Sequence, residues 1–392
     1  MSSKLIGKTI SLSSKVLKWG RESIGFDLLT ASKKLNVDVE QLKKWESNDN
    51  NIPLSRFKLL SKVYKRPSAV FLLSEPPVEK FPSEFRKHVD EKRIEFTPDT
   101  YLSIRKAKRL QNIFIEINGK EDNEFVKKIN TYSAYSDAEK VAEKVASLLG
   151  IEYEEVLKHR DSFSQLKIWK KTLEEVGILV VELKFNTLEA RAFSLYSEVA
   201  PLIALSTKDS PTARIFSLMH ELSHLIFKTN GIDIEEDYVN YEKDNKLEYF
   251  CNRFAGALLV PKKELLNQIE KNNINVNNFS NEEHLDSALN ALSIKFKVSS
   301  QVILRRLETL SLLTFSTYLE KHKKLSSKTP FIKKPIEGGD YYLNIIKNNG
   351  ALLISKLLEA QSENKITHSD LLNYLNMKSE NIDKLETRIL HY

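Results

Sequence analysis

With 392 residues and a formal net charge of +7, the chain is long enough for two or three domains rather than one small core. Eleven glycines are about 3% against a usual ~7%, and neither GxGxxG nor GxxxxGKS/T occurs, which speaks against a nucleotide enzyme with a phosphate loop. Cys251 is the only cysteine, no apolar run approaches the ~18 residues of a membrane helix, and the first residues lack a signal-peptide core, so a cytoplasmic protein without disulfides is expected.

The charge is unevenly spread. Residues 1–80 carry 15 Lys and Arg against 8 Asp and Glu, so the whole +7 excess lies there and the rest sums to zero. A basic N-terminal module on a neutral body fits a segment that contacts nucleic acid, and it equally fits well-solvated helices. Residues 16–73 read as four or five short helices. "VLKWGRESIG" ends at a glycine, "FDLLTASKKLNV" has Leu28, Leu29, Ala31 and Leu35 at helical spacing, and "DVEQLKKWESN" begins on the good N-cap Asp38. "IPLSRFKLLSKVY" and "PSAVFLL" follow, the second entered through Pro67. The second and third helices match a helix-turn-helix, with Lys33, Lys34, Gln41, Lys43 and Lys44 as the candidate DNA contacts. Asp38 and Glu40 open the helix that would enter the groove, followed later by Glu46, and carboxylates there face phosphates; docking a protein is the competing role. Trp45 reads as core.

The proline-punctuated, charged run "SEPPVEKFPSEFRKHVDEKRIEFTP" reads as a linker, and 99–118 and 136–176 as amphipathic helices. The period then changes. "GILVVEL" (177–183), "RAFSLY" (191–196) and "APLIALS" (200–206) predict strands whose edge could receive an extended peptide. "KDSPTARIFSLMHELSHLIFK" returns to helix, capped by Ser210 with Pro211 in the first turn, and "NKLEYFCNRFAGALLVP" is a further helix closed by Pro261. A faint repeat, "LNVDVEQL" (35–42), "FKVSSQVI" (296–303) and "LNMKSENI" (375–382), suggests three helix-turn-helix units, or simply a common way to pack two helices. The expected class is α+β and predominantly helical. Its parts are a helix-turn-helix bundle at 11–80, a charged helical connector at 81–135, a domain with a small sheet at 136–315 and a helical module at 340–392.

The chemistry concentrates in "HELSH". With 8 histidines in the chain, HExxH should arise by chance in only about 2% of such sequences. The i, i+4 spacing puts His220 and His224 on one face, one turn apart, as two ligands of a single ion require. Phe216 continues that face, and Leu218, Leu222, Leu225 and Ile226 make the helix largely buried, where imidazoles must be satisfied. A catalytic zinc takes three protein ligands and keeps one position open. The extended HExxHxxGxxH motif is excluded by Phe227 and Asn230, so the third ligand lies elsewhere: Glu248 is the best candidate, with Glu242, Asp237 and His284 as competitors. Glu248 and Asn252 form an E-x-x-x-N that is similar to the E-x-x-x-D of thermolysin-like peptidases, in which the glutamate binds zinc and the later residue orients a ligand histidine. One zinc per chain would acidify its water to a pKa of about 7, with Glu221 as general base and then general acid. Tyr196, Tyr238, Tyr241 and Arg253 are unranked candidates for stabilising the oxyanion.

At these residues the chain resembles the ImmA/IrrE metallopeptidases, whose second motif reads roughly E-x-x-A-N-x-F-A-x-x-L-L-x-P. Glu248, Asn252, Phe254, Ala255, Leu258, Leu259 and Pro261 match it, and Cys251 stands where alanine is usual. The helices of 16–73 resemble an XRE-type helix-turn-helix domain, and the resemblance covers most of residues 16–311. It implies a zincin-like zinc endopeptidase that cuts a DNA-binding repressor or antitoxin in a stress or mobile-element response, together with duplex DNA as a partner of residues 11–80. The alternatives are a helix-turn-helix transcription regulator, or an antitoxin-like binding protein, with a metal site that does no chemistry.

Overall fold

The computed structural model describes residues 9–47, 51–77, 96–129, 132, 136–158, 161–229, 232–233, 246–327, 339–390 and 392. It is 66% helical with small sheets, the α+β, predominantly helical class that the periodicities predict. The chain divides into two compact units between Arg105 and Lys106. Most of the expected linker (residues 78–95) lies outside the described residues.

The first unit holds the helices Ser14–Glu22, Leu28–Leu35, Val39–Trp45 and Leu54–Val63 and a 3-10 turn, Ser68–Leu72. Their apolar faces close on a core that includes Val16, Ala31, Leu35, Leu42, Trp45, Leu60, Tyr64 and Phe71. Gly20 sits where a Cβ would come 2.8 Å from the Phe71 ring, so only a glycine lets these elements approach so closely. A short antiparallel ribbon, β1 (Thr9–Ser11) with β2 (Asn51–Pro53), was not expected from the sequence, because three residues carry too little alternation to be read. Trp45 is core, as read. Glu46 is not a free carboxylate near a groove: both its oxygens accept from Arg21, at 2.8 Å each.

In the second unit the three predicted strands form at β3 (Leu179–Leu183), β4 (Ala192–Leu195) and β5 (Leu202–Ser206). The sheet order is β3-β5-β4-β6, with β3 and β5 parallel and the other pairs antiparallel. Every residue of β3, β4 and β5 is buried, which explains their largely apolar runs. The edge offered by β4 is partly taken by β6 (Ile232–Asp233), paired at Ala192 and Phe193; two residues gave no sequence signal. The helix Pro211–Ile226 packs on β4 and β5 and against the helices Ser162–Glu175 and Lys246–Leu259. It is capped as expected, the Ser210 hydroxyl accepting from the Ala213 amide at 3.2 Å with Pro211 at the start.

The three repeats share one backbone device. Asn36, Lys297 and Asn376 each end a helix in the left-handed conformation, at φ 51°, 56° and 52°. Each is followed by the apolar residue of the pattern, Val37, Val298 or Met377, and then by the next helical turn. A left-handed residue at this position satisfies the last carbonyls of the first helix and redirects the chain into the second.

Candidate metal centre

The helix Pro211–Ile226 is apolar on nearly all sides, so its few polar side chains stand out by their burial. His220 and His224 are 2% and 3% exposed, and Glu221 is fully buried. One turn apart on the same face, the imidazoles bring their Nε2 atoms to 3.2 Å from each other. The helix Lys246–Leu259 lies against them and supplies a carboxylate: Glu248 Oε2 is 3.1 Å from His220 Nε2, and Oε1 is 3.4 Å from His224 Nε2. Donors held at about 2.0–2.1 Å around a tetrahedral zinc stand about 3.3–3.4 Å apart, so these spacings fit that ion.

The far side of each ring is also engaged. His220 Nδ1 is 3.1 Å from Asn252 Oδ1; with Asn252 as acceptor, Nδ1 carries the proton and Nε2 keeps its lone pair. Thr229 Oγ1 lies 3.4 Å from His224 Nδ1 and donates to the His224 carbonyl at 3.1 Å. Thr229 was missed from the sequence because it lies just beyond the helix, in a loop with no periodicity.

A second donor overlaps this set. The ligand atoms of His220, His224 and Cys251 all lie within 4.8 Å of one another. Cys251 is fully buried, and burial first, then the carboxylates of Glu248 and Glu221, raise its thiol well above the ordinary range. The other candidates fall elsewhere. His284 Nε2 is 3.0 Å from the Asn275 carbonyl, and Asp237, Glu242, Tyr238 and Tyr241 lie outside the described residues. Tyr196 points its hydroxyl at Glu198 (3.5 Å), and Arg253 Nη1 donates to Tyr249 Oη at 3.2 Å. Lys33, Lys34, Lys43 and Lys44 are exposed and Gln41 is half-buried; Lys43 bonds Glu40 at 2.8 Å.

A buried ionic network holds the other end of the same helix. Arg214 Nη1 donates to Glu182 Oε2 at 2.6 Å, and Lys170 Nζ to Glu182 Oε1 at 2.8 Å and to Tyr392 Oη at 3.2 Å. Burial opposes the Glu182 charge, but Lys170 and Arg214 outweigh it and keep the carboxyl below its usual range. Glu174 accepts the Leu352 amide at 3.2 Å, at the start of the helix Ala351–Ser362. Burial lifts its carboxyl to about 7 against the pull of Lys170 and of the Leu352 and Ala351 amides. Sequence reasoning missed this network, although a lone glutamate in "GILVVEL" was a usable signal.

A buried HExxH-type helix behind a small sheet, with a second helix carrying donors to the same point, is the arrangement of a zincin-like metallopeptidase. Residues 173–308 match the family model described as IrrE N-terminal-like domain, a peptidase family, and this supports the metallopeptidase class for that stretch. No curated protein matches the chain at a significant level. Among the described residues, no helix is long and apolar enough to cross a membrane.

Proposed function

We propose that the chain is a zinc-dependent endopeptidase, with His220, His224 and Glu248 as the metal ligands and Glu221 as the acid–base residue. The observation that carries this reading is the set of donor separations, 3.1, 3.2 and 3.4 Å, in an otherwise apolar interior. Glu248 is preferred to Cys251 as third ligand because its oxygens reach both imidazoles at tetrahedral spacing and its side chain is 24% exposed, leaving a route for a substrate. Zinc bound there supplies Lewis acidity and lowers the pKa of a coordinated water from 15.7 to about 7. Glu221 takes the proton of the attacking water and returns it to the departing amine. Asn252 and Thr229 hold the two rings so that their Nε2 lone pairs converge. Metal analysis of the purified full chain tests the ligand set: His220→Ala and Glu248→Ala lose the ion, while Glu221→Gln and Cys251→Ala keep it. Full retention in His220→Ala and His224→Ala rules the site out.

The substrate in this reading is a regulatory protein, a DNA-binding repressor or antitoxin, inside the cell; the resemblance of the two motifs supports it. The first unit serves here to dock protein rather than to read DNA. That choice is favoured by exposed Asp38 and Glu40 at the start of the helix that would meet the bases, and by the Glu40–Lys43 bond, which occupies one of the lysines. Tight, sequence-selective gel-shift retention of one DNA fragment, weakened by Lys43→Glu and Lys44→Glu, overturns it. Phosphate contacts alone would show as a log–log salt slope of about −0.9 per contact without selectivity.

A further inference from the structure

Beside the candidate metal centre lies a small, partly open cleft. Two of its residues belong to the surroundings of His220. Asn252 bonds the His220 ring, and the Phe216 ring stands 6.4 Å from it, one helical turn earlier. The opposite walls come from the helices Ser300–Thr309 and Phe315–Ser326, and the cleft adjoins the candidate centre through Asn252 and Phe216, behind the His220 ring.

The cleft is lined by three arginines, and their electrostatic states differ. Arg306 is neutralised: it pairs with both oxygens of Glu139 and donates to the Val260 carbonyl at 2.9 Å. Arg305 has Glu308 at 3.7 Å and lies 4.5 Å over the Tyr318 ring. Arg253 has no carboxylate partner among the described residues. Its contacts are the Tyr249 hydroxyl and ring, at 3.2 and 5.6 Å, and its buried Nε makes no hydrogen bond. Among the described residues this half-buried guanidinium meets no anion, and a carboxylate matches its fork of donors. Gly256, one turn beyond Asn252, also lines the cleft; a Cβ there would come 3.1 Å from Arg306 Cδ, so the absence of a side chain keeps this wall open.

We infer that this cleft is a specificity subsite for an acidic side chain of the peptide substrate, read by Arg253. The inference rests on the peptidase reading and deepens it by naming the substrate class: a polypeptide with Asp or Glu close to the bond cleaved. Nothing covalent happens in the cleft; Arg253 positions the chain by an ion pair that a glutamine in the peptide cannot make.

The test uses the zinc-loaded full chain and peptide hydroxamates that extend from the metal-binding group in either chain direction. Each carries Glu, Gln or Lys at the first or second residue, and acetohydroxamate reports the metal site alone. Calorimetry should find one position at which Glu binds about tenfold or more tightly than Gln, the scale of one charge-assisted hydrogen-bonded pair. In Arg253→Ala the Glu/Gln ratio should fall to about one, Arg253→Lys should keep part of it, and Arg253→Glu should reverse it towards Lys-bearing peptides. The ratio is insensitive to any general loss of affinity in a variant. Equal binding of Glu and Gln at every position, or a preference that survives Arg253→Ala, overturns the subsite while leaving the peptidase reading intact. A chain that takes up no zinc and binds no acetohydroxamate overturns the peptidase reading itself, and the subsite with it.

Discussion

Two polar clusters are buried along one helix, and they are built differently. Around Arg214 every charge meets an opposite charge: Glu182 takes Arg214 on one oxygen and Lys170 on the other. Around His220 the groups instead converge, with two imidazoles and a carboxylate presenting acceptors to a common point and hydrogen bonds behind the rings keeping them aimed there. A cluster closed on itself ties elements together, whereas imidazole and carboxylate atoms converging at 3.1–3.4 Å are the geometry that the proposed zinc site would use. Burial marks both clusters as costly, and only the geometry of partners separates scaffold from site.

The comparison can be broken most directly at the convergent cluster. Glu221→Gln should lower hydrolysis of any peptide the wild type cuts by roughly 10²–10⁴-fold while metal content, measured by mass spectrometry, stays at the wild-type level. Wild-type turnover in Glu221→Gln removes the acid–base role. At the closed cluster the effect should fall on stability. Glu182→Ala leaves Lys170 and Arg214 buried without their shared carboxylate, and urea unfolding should show a loss of about 3–5 kcal/mol, with zinc binding retained by whatever fraction remains folded. A loss below about 1 kcal/mol in that variant would mean that the network is solvated and the contrast false.

The third measurement sharpens the contrast within the closed cluster. Because the Glu174 carboxyl is raised to about 7 from an ordinary 4.5, the folded chain holds its proton more tightly than the unfolded chain. Its contribution is therefore complete below about pH 4.5 and is lost as pH rises through about 7, by at most about 3 kcal/mol over that window. Glu182, with its pKa lowered, works in the opposite sense and loses its contribution as pH falls through its folded value. Glu174→Gln, neutral at every pH, should flatten the fall in melting temperature between pH 5 and 8. An unchanged slope assigns that fall to other groups.

The smallest expected effect compares the three sequence repeats that end a helix in the left-handed conformation. Asparagine occupies the left-handed position in two of them and Lys297 in the third. Asparagine tolerates this conformation better than lysine, so Lys297→Asn should stabilise the chain by a few tenths to about 1 kcal/mol. A loss of stability would show that Lys297 makes a compensating contact, its bond to the Ile294 carbonyl being the first to test.

Much of this protein was legible in its sequence because short-range rules govern those parts. The helices around 211–226 and 246–259 follow from apolar periodicity, with Ser210, Pro211 and Pro261 marking ends, and the strands at 179–183, 192–195 and 202–206 from brief apolar runs. The His220–His224 pair is set by helix geometry alone, four residues to one turn. Tertiary structure decided what depends on contacts between distant segments: that Glu248 meets both imidazoles, that Cys251 lies close to them, and that Thr229 backs His224. It also decided that β6 borders β4, that Glu182 is shared by two cations, and that Glu46 belongs to Arg21. The physical reason is that periodicity records which face of an element is buried, whereas the partner of a buried polar group is chosen by packing between elements far apart in the chain, which leaves no local pattern.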